Sequence, residues 1–124
     1  MNDPMTWLEA KQTCADLDNS ILVEIDSEEE NSAISAEMHR VGSPDGWLGL
    51  TDRRNEGHFV LESTGQSPSF TKWCCPGEPN NGGSQGEDCA IIKSVPWNDW
   101  NDMDCALSQH LWGPLSAICE IQLL

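Results

Sequence analysis

The chain has 124 residues, enough for one domain with a real hydrophobic core, and we predict a single domain over residues 1–124. It carries 21 acidic residues against 6 basic ones, a net charge of -15, which excludes nucleic acid as a natural partner. No apolar run approaches the ~20 residues that cross a bilayer, and residues 1–8 lack a signal-peptide pattern, so we expect no membrane insertion.

The cysteines indicate an oxidising compartment. Their number is even, none lies in a Cys-x-x-Cys pair, and the chain has only three histidines, so a disulfide framework is favoured over a zinc site. Disulfides form outside the cytosol, and we therefore predict a secreted or extracellular protein. The six cysteines are Cys14, Cys74, Cys75, Cys89, Cys105 and Cys119.

Two helices are predicted in the first third of the chain. Capping-box motifs at Thr6 and Ser27 each start a stretch with helical periodicity, which places helices at about 6–17 and 27–40. The predicted buried stripe of the first helix is Trp7, Ala10, Cys14 and Leu17. That of the second helix is Ile34, Met38 and Val41.

The apolar pattern then changes to that of short strands separated by turns. Strands or strand-like segments are predicted at 21–25, 47–50, 59–61, 90–92 and 117–121. A region rich in glycine, proline, asparagine and serine spans 63–86, and a loop of this length usually carries function. Phe70 and Trp73 indicate that part of it is packed. Two helices followed by short strands and one long loop predict an α+β fold.

Side chains with hard oxygen atoms occur within this loop, directly after it and again near residue 101. Carboxylates and side-chain amides are the ligands that Ca²⁺ prefers, in irregular sets of roughly six to eight. The donors are Glu78, Asn80, Glu87, Asn101 and Asp102. From these residues alone, a calcium site and an ordinary solvated polar loop both remain open.

Taken in order, the motifs of the chain resemble a C-type lectin-like domain over nearly its whole length. This resemblance implies two helices flanking small antiparallel sheets, with a long calcium-binding loop. The matching pieces are Thr6-Trp7, Ala10, Cys14, Trp47-Leu48-Gly49-Leu50, Pro76-Gly77-Glu78-Pro79-Asn80, Glu87-Asp88-Cys89, Trp100-Asn101-Asp102, Cys105 and Ala117-Ile118-Cys119-Glu120.

The resemblance also implies a function, namely calcium-dependent binding of carbohydrate without catalysis. The principal Ca²⁺ and the sugar would share the ligands Glu78, Asn80, Glu87, Asn101 and Asp102. In this family the Glu-Pro-Asn triplet goes with mannose-type sugars, which present equatorial 3- and 4-hydroxyls, and Gln-Pro-Asp goes with galactose. The implied partners are therefore mannose-, fucose- or GlcNAc-type glycans.

A second, auxiliary calcium site is implied at Asp52, Glu56 and Asp88, with Glu87 bridging the two ions. Asn81 stands where the family often has aspartate, which removes one anion, so we expect weak or absent metal there. An ordinary charged turn is the competing interpretation of Asp52 and Glu56.

The family's disulfides would join Cys14 to Cys119 and Cys89 to Cys105. The remaining pair, Cys74 and Cys75, departs from the pattern. It leaves open a bond between neighbours, free thiols, or a bridge to a second chain in a homo-oligomer.

Three alternatives remain. One alternative is a domain with this fold that binds a non-sugar partner, either a protein or ice. A glycosidase built on Glu78 and Glu87 is disfavoured because metal would occupy both. Trp97 is interpreted as a buried loop anchor in preference to a stacking platform for sugar. The repeated Trp-Asn-Asp at 97–99 offers a second register for the ligands, and we prefer Asn101 and Asp102 because their spacing to Cys105 fits the family.

Overall fold

The computed structural model describes residues 4–43, 45–74, 88–110 and 113–121. Within these residues the chain forms two α-helices and eight β-strands. The helices are α1 (Trp7–Ala15) and α2 (Glu28–Val41). The strands are β1 (Ser20–Leu22), β2 (Asp45–Thr51), β3 (Val60–Leu61), β4 (Cys89–Lys93), β5 (Trp100–Met103), β6 (Gln109–His110), β7 (Gly113–Ala117) and β8 (Cys119–Ile121).

Helix α1 starts where its capping box predicts. The Thr6 side chain accepts from the Glu9 N–H at 3.2 Å, and the Glu9 carboxylate accepts from the Thr6 N–H at 2.9 Å. The helix ends two residues earlier than predicted, at Ala15, because the chain turns at Asp16. Leu17 therefore leaves the buried stripe and is 53% exposed, so its assignment to the core was wrong.

Helix α2 begins at the predicted N-cap and ends at Gly42, whose φ of 79° is left-handed. Its buried face differs from the prediction: Val41 is 42% exposed, while the fully buried residues include Asn31 and Ser35. Apolar periodicity did not reveal this face because polar groups of a distant turn cover it. Met38 is buried as predicted.

The strands form two sheets, which confirms the predicted α+β fold. Strands β1 and β8 pair antiparallel in a two-stranded sheet. The larger sheet has the order β5-β4-β2-β7-β6, with β3 also paired to β2. The β2–β7 pair is parallel and the other pairs are antiparallel. The prediction missed β5 and β6, and it located only the last residue of β7.

Two tryptophans tie the first helix to the central strand. Trp7 and Trp47 are completely buried. The Trp7 indole N–H donates to the Leu48 carbonyl at 2.9 Å, and the Trp47 indole N–H donates to the Met5 carbonyl at 2.7 Å. Because each buried N–H has a partner, these large side chains contribute apolar contact without an unsatisfied donor.

Between described cysteines the structure has the disulfides Cys14–Cys119 and Cys89–Cys105, the pairs that the resemblance implies. The first joins residues 105 positions apart and the second joins residues 16 apart. In the chain-entropy model each stabilises the fold by about 3–5 kcal/mol. The short bridge fastens the start of β4 to the segment that follows β5.

Candidate functional site

Three acidic side chains converge at one end of the larger sheet. One carboxylate oxygen from each of Asp52, Glu56 and Asp88 lies within 4.8 Å of the others. Asp52 is only 2% exposed, whereas Glu56 is open to solvent. The structure thus brings together the three residues predicted for the auxiliary calcium site.

The strands explain why these residues meet. Thr51, the last residue of β2, pairs with Cys89, the first residue of β4. Asp52 follows one strand and Asp88 precedes the other, and the Asp52 N–H donates to the Asp88 carbonyl at 2.9 Å. The backbone hydrogen bonds of the sheet therefore hold the two aspartates next to each other.

Glu56 reaches the same place through a tight turn. The Asp52 Oδ2 accepts from the Gly57 N–H at 2.8 Å, which closes the chain over residues 52–57. Gly57 has a φ of 85°, a left-handed conformation that favours glycine. The turn brings a carboxylate oxygen of Glu56 within 4.8 Å of one from the buried Asp52.

Burial and mutual repulsion govern the electrostatics of this cluster. Burial raises the pKa of Asp52, and repulsion from Glu56 adds to that rise. Burial, followed by the neighbouring Asp52, raises the pKa of Asp88. Among the described residues, Asp52 Oδ1 and Asp88 Oδ1 are buried without a hydrogen-bond partner. Oxygen donors that are buried, anionic and unpaired suit a divalent cation.

Two of the five residues predicted for the principal site lie on β5, the edge strand of the larger sheet. Asn101 is paired with Ile91 and Asp102 with Ala90 on β4. Asp102 is buried, and Asn101 Oδ1 is a buried oxygen with no hydrogen-bond partner in the described part of the chain. The sequence pattern predicted Asn101 and Asp102 as ligands but did not predict that they lie in a strand.

The long loop is attached beside these residues at both ends. The Trp100 N–H donates to the Lys72 carbonyl, and the Cys74 N–H donates to the Trp100 carbonyl, both at 2.8 Å. The chain returns at Asp88, directly before the Cys89–Met103 pair. The other residues predicted for the sites, Glu78, Asn80 and Glu87, lie outside the described residues, as do Pro79 and Asn81.

Aromatic packing fixes the incoming part of the loop, as predicted. Phe70 and Trp73 each contact the Trp100 ring edge-on, at centroid distances of 5.7 and 5.8 Å. Phe59 contacts Trp73 at 4.9 Å. Cys74 is disulfide-bonded, while Cys75 lies outside the described residues, so the pairing of these two cysteines stays a prediction.

The first copy of the Trp-Asn-Asp repeat has a structural role. Asn31 Nδ2 donates to the Asn98 carbonyl at 2.7 Å, and Ser35 Oγ lies 2.7 Å from Asn98 Oδ1. Both contacts attach the 94–99 turn to α2, so the side chain of Asn98 is occupied there. With the turn anchored in this way, Trp97 is 68% exposed, and its prediction as a buried anchor was wrong.

Sequence reasoning missed Asn31, a buried residue of α2 that contacts the 94–99 turn and the first residue of β5. Its Oδ1 accepts from the Trp100 indole N–H at 2.7 Å, so one buried amide holds both the 94–99 turn and the start of β5. The available signal was an asparagine and a serine one helical turn apart in a helix, where neither residue is favoured.

Comparison with known proteins decides the family. The family model described as "Lectin C-type domain" matches residues 3–120. The chain belongs to the C-type lectin domain family. C-type lectin domains are non-enzymatic binding domains, which agrees with the expectation of binding without catalysis.

A relative that is similar in sequence supports the assignment to the C-type lectin domain family. The low affinity immunoglobulin epsilon Fc receptor of Mus musculus is 38% identical over 114 residues, which is 92% of this chain but only 30% of the receptor. The chain thus spans less than a third of that protein's length.

Two solved structures share the fold of this C-type lectin domain. The human scavenger receptor C-type lectin carbohydrate-recognition domain is 34% identical with a TM-score of 0.73, over 85% of this chain and 78% of that one. The cow C-type carbohydrate-recognition domain of CD23, crystallised in the presence of GlcNAc2Man3 oligosaccharide, is 29% identical with a TM-score of 0.77, over 99% and 85%. Neither described helix of the lectin domain is long and apolar enough to cross a membrane.

Proposed function

We propose that this chain is a single extracellular lectin domain, residues 1–124, that binds mannose-type glycans through a loop-bound Ca²⁺. The ion would be held by Glu78, Asn80, Glu87, Asn101 and Asp102, and the same side chains would bind the equatorial 3- and 4-hydroxyls of the sugar. A second Ca²⁺ would be held by Asp52, Glu56 and Asp88, more weakly than the first, because Asn81 adds no charge where the family often has aspartate.

The observation that carries the proposal is the buried carboxylate of Asp52. It is 2% exposed, one oxygen lacks a partner among the described residues, and two further acids stand within 4.8 Å. Burying an uncompensated anion is strongly unfavourable, so this arrangement favours a bound cation. Because all three ligands are carboxylates, the preferred ion is a hard one such as Ca²⁺.

Support for the sugar comes from the edge of the sheet. Asn101 offers a buried oxygen without a partner in the described structure, beside the two points where the long loop joins β5 and β4. Each carboxylate in the proposed set accepts from a hydroxyl and each amide NH₂ donates to one, and the Glu-Pro-Asn order suits equatorial hydroxyls. The cow relative was crystallised in the presence of a mannose-containing oligosaccharide, which is consistent with this class.

The test is a titration of the purified domain with methyl α-mannoside in CaCl₂ and in excess chelator, with methyl β-galactoside as the competing sugar. We expect binding of the mannoside only with calcium, and weaker binding of the galactoside. Asn101→Ala should abolish mannoside binding, while Gln66→Ala removes an exposed amide elsewhere and should not change it. Mannoside binding that persists in chelator would contradict the proposal.

A protein partner is the second candidate, and one observation favours it. The mouse relative, at 38% identity, is named as a receptor for the immunoglobulin epsilon Fc region. For this chain we would then expect capture of a protein that survives both chelator and a saturating concentration of methyl α-mannoside. Removal of glycans from the captured protein separates the two candidates, because only sugar recognition would be lost.

A further inference from the structure

Trp97 lies in the turn that joins β4 to β5 and exposes its indole to solvent. The other described tryptophans belong to the core or pack against it. None of the ring contacts found among the described aromatic residues involves Trp97. Single exposed apolar side chains are common, so exposure alone does not indicate a function. The way in which this turn is held is the informative feature.

Polar contacts hold the turn on both sides of Trp97. After Trp97, Asn98 has a left-handed φ of 61°, which a non-glycine residue adopts where its surroundings enforce it. Its carbonyl accepts from Asn31, and its side chain contacts Ser35, both completely buried. Before it, the Trp97 N–H donates to the Ser94 carbonyl at 3.1 Å.

The base of the turn is closed as well. The Lys93 N–H donates to the Asp99 carbonyl at 3.0 Å, and Ser35 Oγ lies 2.8 Å from the Lys93 carbonyl. An aromatic side chain presented on a rigid turn loses little freedom when a ligand covers it, which favours binding. The protein thus holds a bare indole face on a turn that is already ordered.

The turn also lies close to the proposed sugar site. Trp97 precedes Asn101 by four residues, a separation of at most about 14 Å along an extended chain. This distance is within the length of a short oligosaccharide. The face of an indole carries negative electrostatic potential and attracts the polarised C–H bonds on the apolar face of a pyranose ring.

We infer that Trp97 is a second contact for glycan, on which a sugar ring adjacent to the calcium-bound residue stacks. The inference rests on the proposed function and deepens it, because it makes the preferred ligand an oligosaccharide rather than a single mannose. Trp97 would set specificity by raising the affinity for oligosaccharides whose second ring can place its C–H face against the indole.

The test compares a monosaccharide with a longer ligand. Wild type and Trp97→Ala are titrated in CaCl₂ with methyl α-mannoside and with a mannotriose. We expect Trp97→Ala to weaken mannotriose binding by about tenfold, because the second ring loses its contact with the indole, and to leave methyl α-mannoside binding unchanged. Trp97→Phe should recover part of the loss, and Leu8→Ala, which trims an exposed apolar side chain on α1, should change neither ligand.

An independent measurement uses the indole N–H resonance of Trp97. We expect mannotriose to shift it and methyl α-mannoside to leave it in place. Equal affinity of wild type and Trp97→Ala for mannotriose, or an equal loss for both ligands, overturns the role of Trp97 while the proposed function stands. A wild-type domain that binds neither ligand overturns both proposals, and the wild-type titration alone reveals that outcome.

Discussion

The Asp52 N–H donates to the carbonyl of Asp88 at 2.9 Å, so the two most buried acids of the cluster are linked by the backbone as well as by their charges. This bond continues the β2–β4 ladder by one step beyond Thr51 and Cys89. This bond fixes the main chain of the two residues side by side, so their carboxylates can separate only by rotation of the side chains. The fold therefore holds a repulsive pair in place, and a cation is the simplest way to neutralise it.

Asp52→Asn should separate the metal effect from the effect on the apoprotein. Asparagine retains an oxygen that can accept from Gly57 but removes the charge, so we expect no loss of stability in chelator. In CaCl₂ the variant should lose the stabilisation due to the auxiliary ion, which is about 2.7 kcal/mol when calcium is at 100 times Kd. Thermal unfolding with and without CaCl₂ measures both quantities.

Asp18→Asn is the matched control, because it makes the same change at an exposed position on the loop after α1. Its calcium-dependent rise in Tm should equal that of the wild type. An unchanged calcium response in Asp52→Asn would show that no ion binds at the cluster.

The pH dependence of the calcium-free domain follows from the raised pKa values of Asp52 and Asp88. A carboxyl whose folded pKa lies above its unfolded value of about 3.9 destabilises the ionised native state, and protonation relieves this. In chelator, Asp52→Asn/Asp88→Asn should therefore be more stable than wild type at pH 7. The difference should begin to shrink as the pH falls to the raised folded pKa and should be gone below the unfolded value of about 3.9.

Calcium should reverse the direction of that pH effect. Protons compete with the ion for the same oxygens, so the stabilisation of the wild type by CaCl₂ should be present at neutral pH and be lost on acidification. Urea unfolding at several pH values, for both proteins in each condition, gives the comparison. A wild type that is more stable than the double variant in chelator at pH 7 would contradict the assigned electrostatics.

Asn31→Ala should destabilise the fold, because Asn31 on α2 bonds both the 94–99 turn and Trp100. The change leaves the Trp100 indole N–H and the Asn98 carbonyl without their partner, a loss of about 1–3 kcal/mol for each buried group. Urea unfolding measures it, and Ser32→Ala, one residue along α2 at a half-buried position whose hydroxyl contacts Glu28 at 3.4 Å, should cost far less. A cost for Asn31→Ala no larger than that control would show that the amide does not anchor the turn.

Glu78→Gln/Asn80→Asp tests the sugar preference, on the basis of the Glu-Pro-Asn order. The exchange moves the acceptor and the donor to opposite sides of Pro79, so we expect preference to shift from mannose towards galactose with calcium dependence retained. A competition assay with both methyl glycosides reads out the ratio. If the variant still prefers mannose while binding calcium normally, the triplet does not determine specificity here.

Local signals in the sequence predicted the helices well and the edge strand poorly. The capping residues Thr6 and Ser27 act within one turn, and both helices begin where those residues place them. Strand β5 was missed because Asn101 and Asp102 are residue types that strands disfavour, and the strand exists through its pairing with β4.

The buried face of α2 shows a second limit. Asn31 is buried because its partners, Asn98 and Trp100, lie 67 and 69 positions away in sequence, and helical periodicity contains no information about such partners. The acidic cluster was different. The family resemblance grouped Asp52, Glu56 and Asp88 without any information on strand pairing, and the β2–β4 pairing together with the 52–57 turn brings them within 4.8 Å of one another.

The Cys14–Cys119 bridge has a mechanical consequence. It joins α1 to β8 across 105 positions of sequence, so tension applied between the segment before Cys14 and the segment after Cys119 passes through a covalent link. The chain between those cysteines, including β5 with Asn101 and Asp102, is shielded from that pull. A glycan-bound domain under tension would therefore keep the geometry of its binding face until the bridge is reduced.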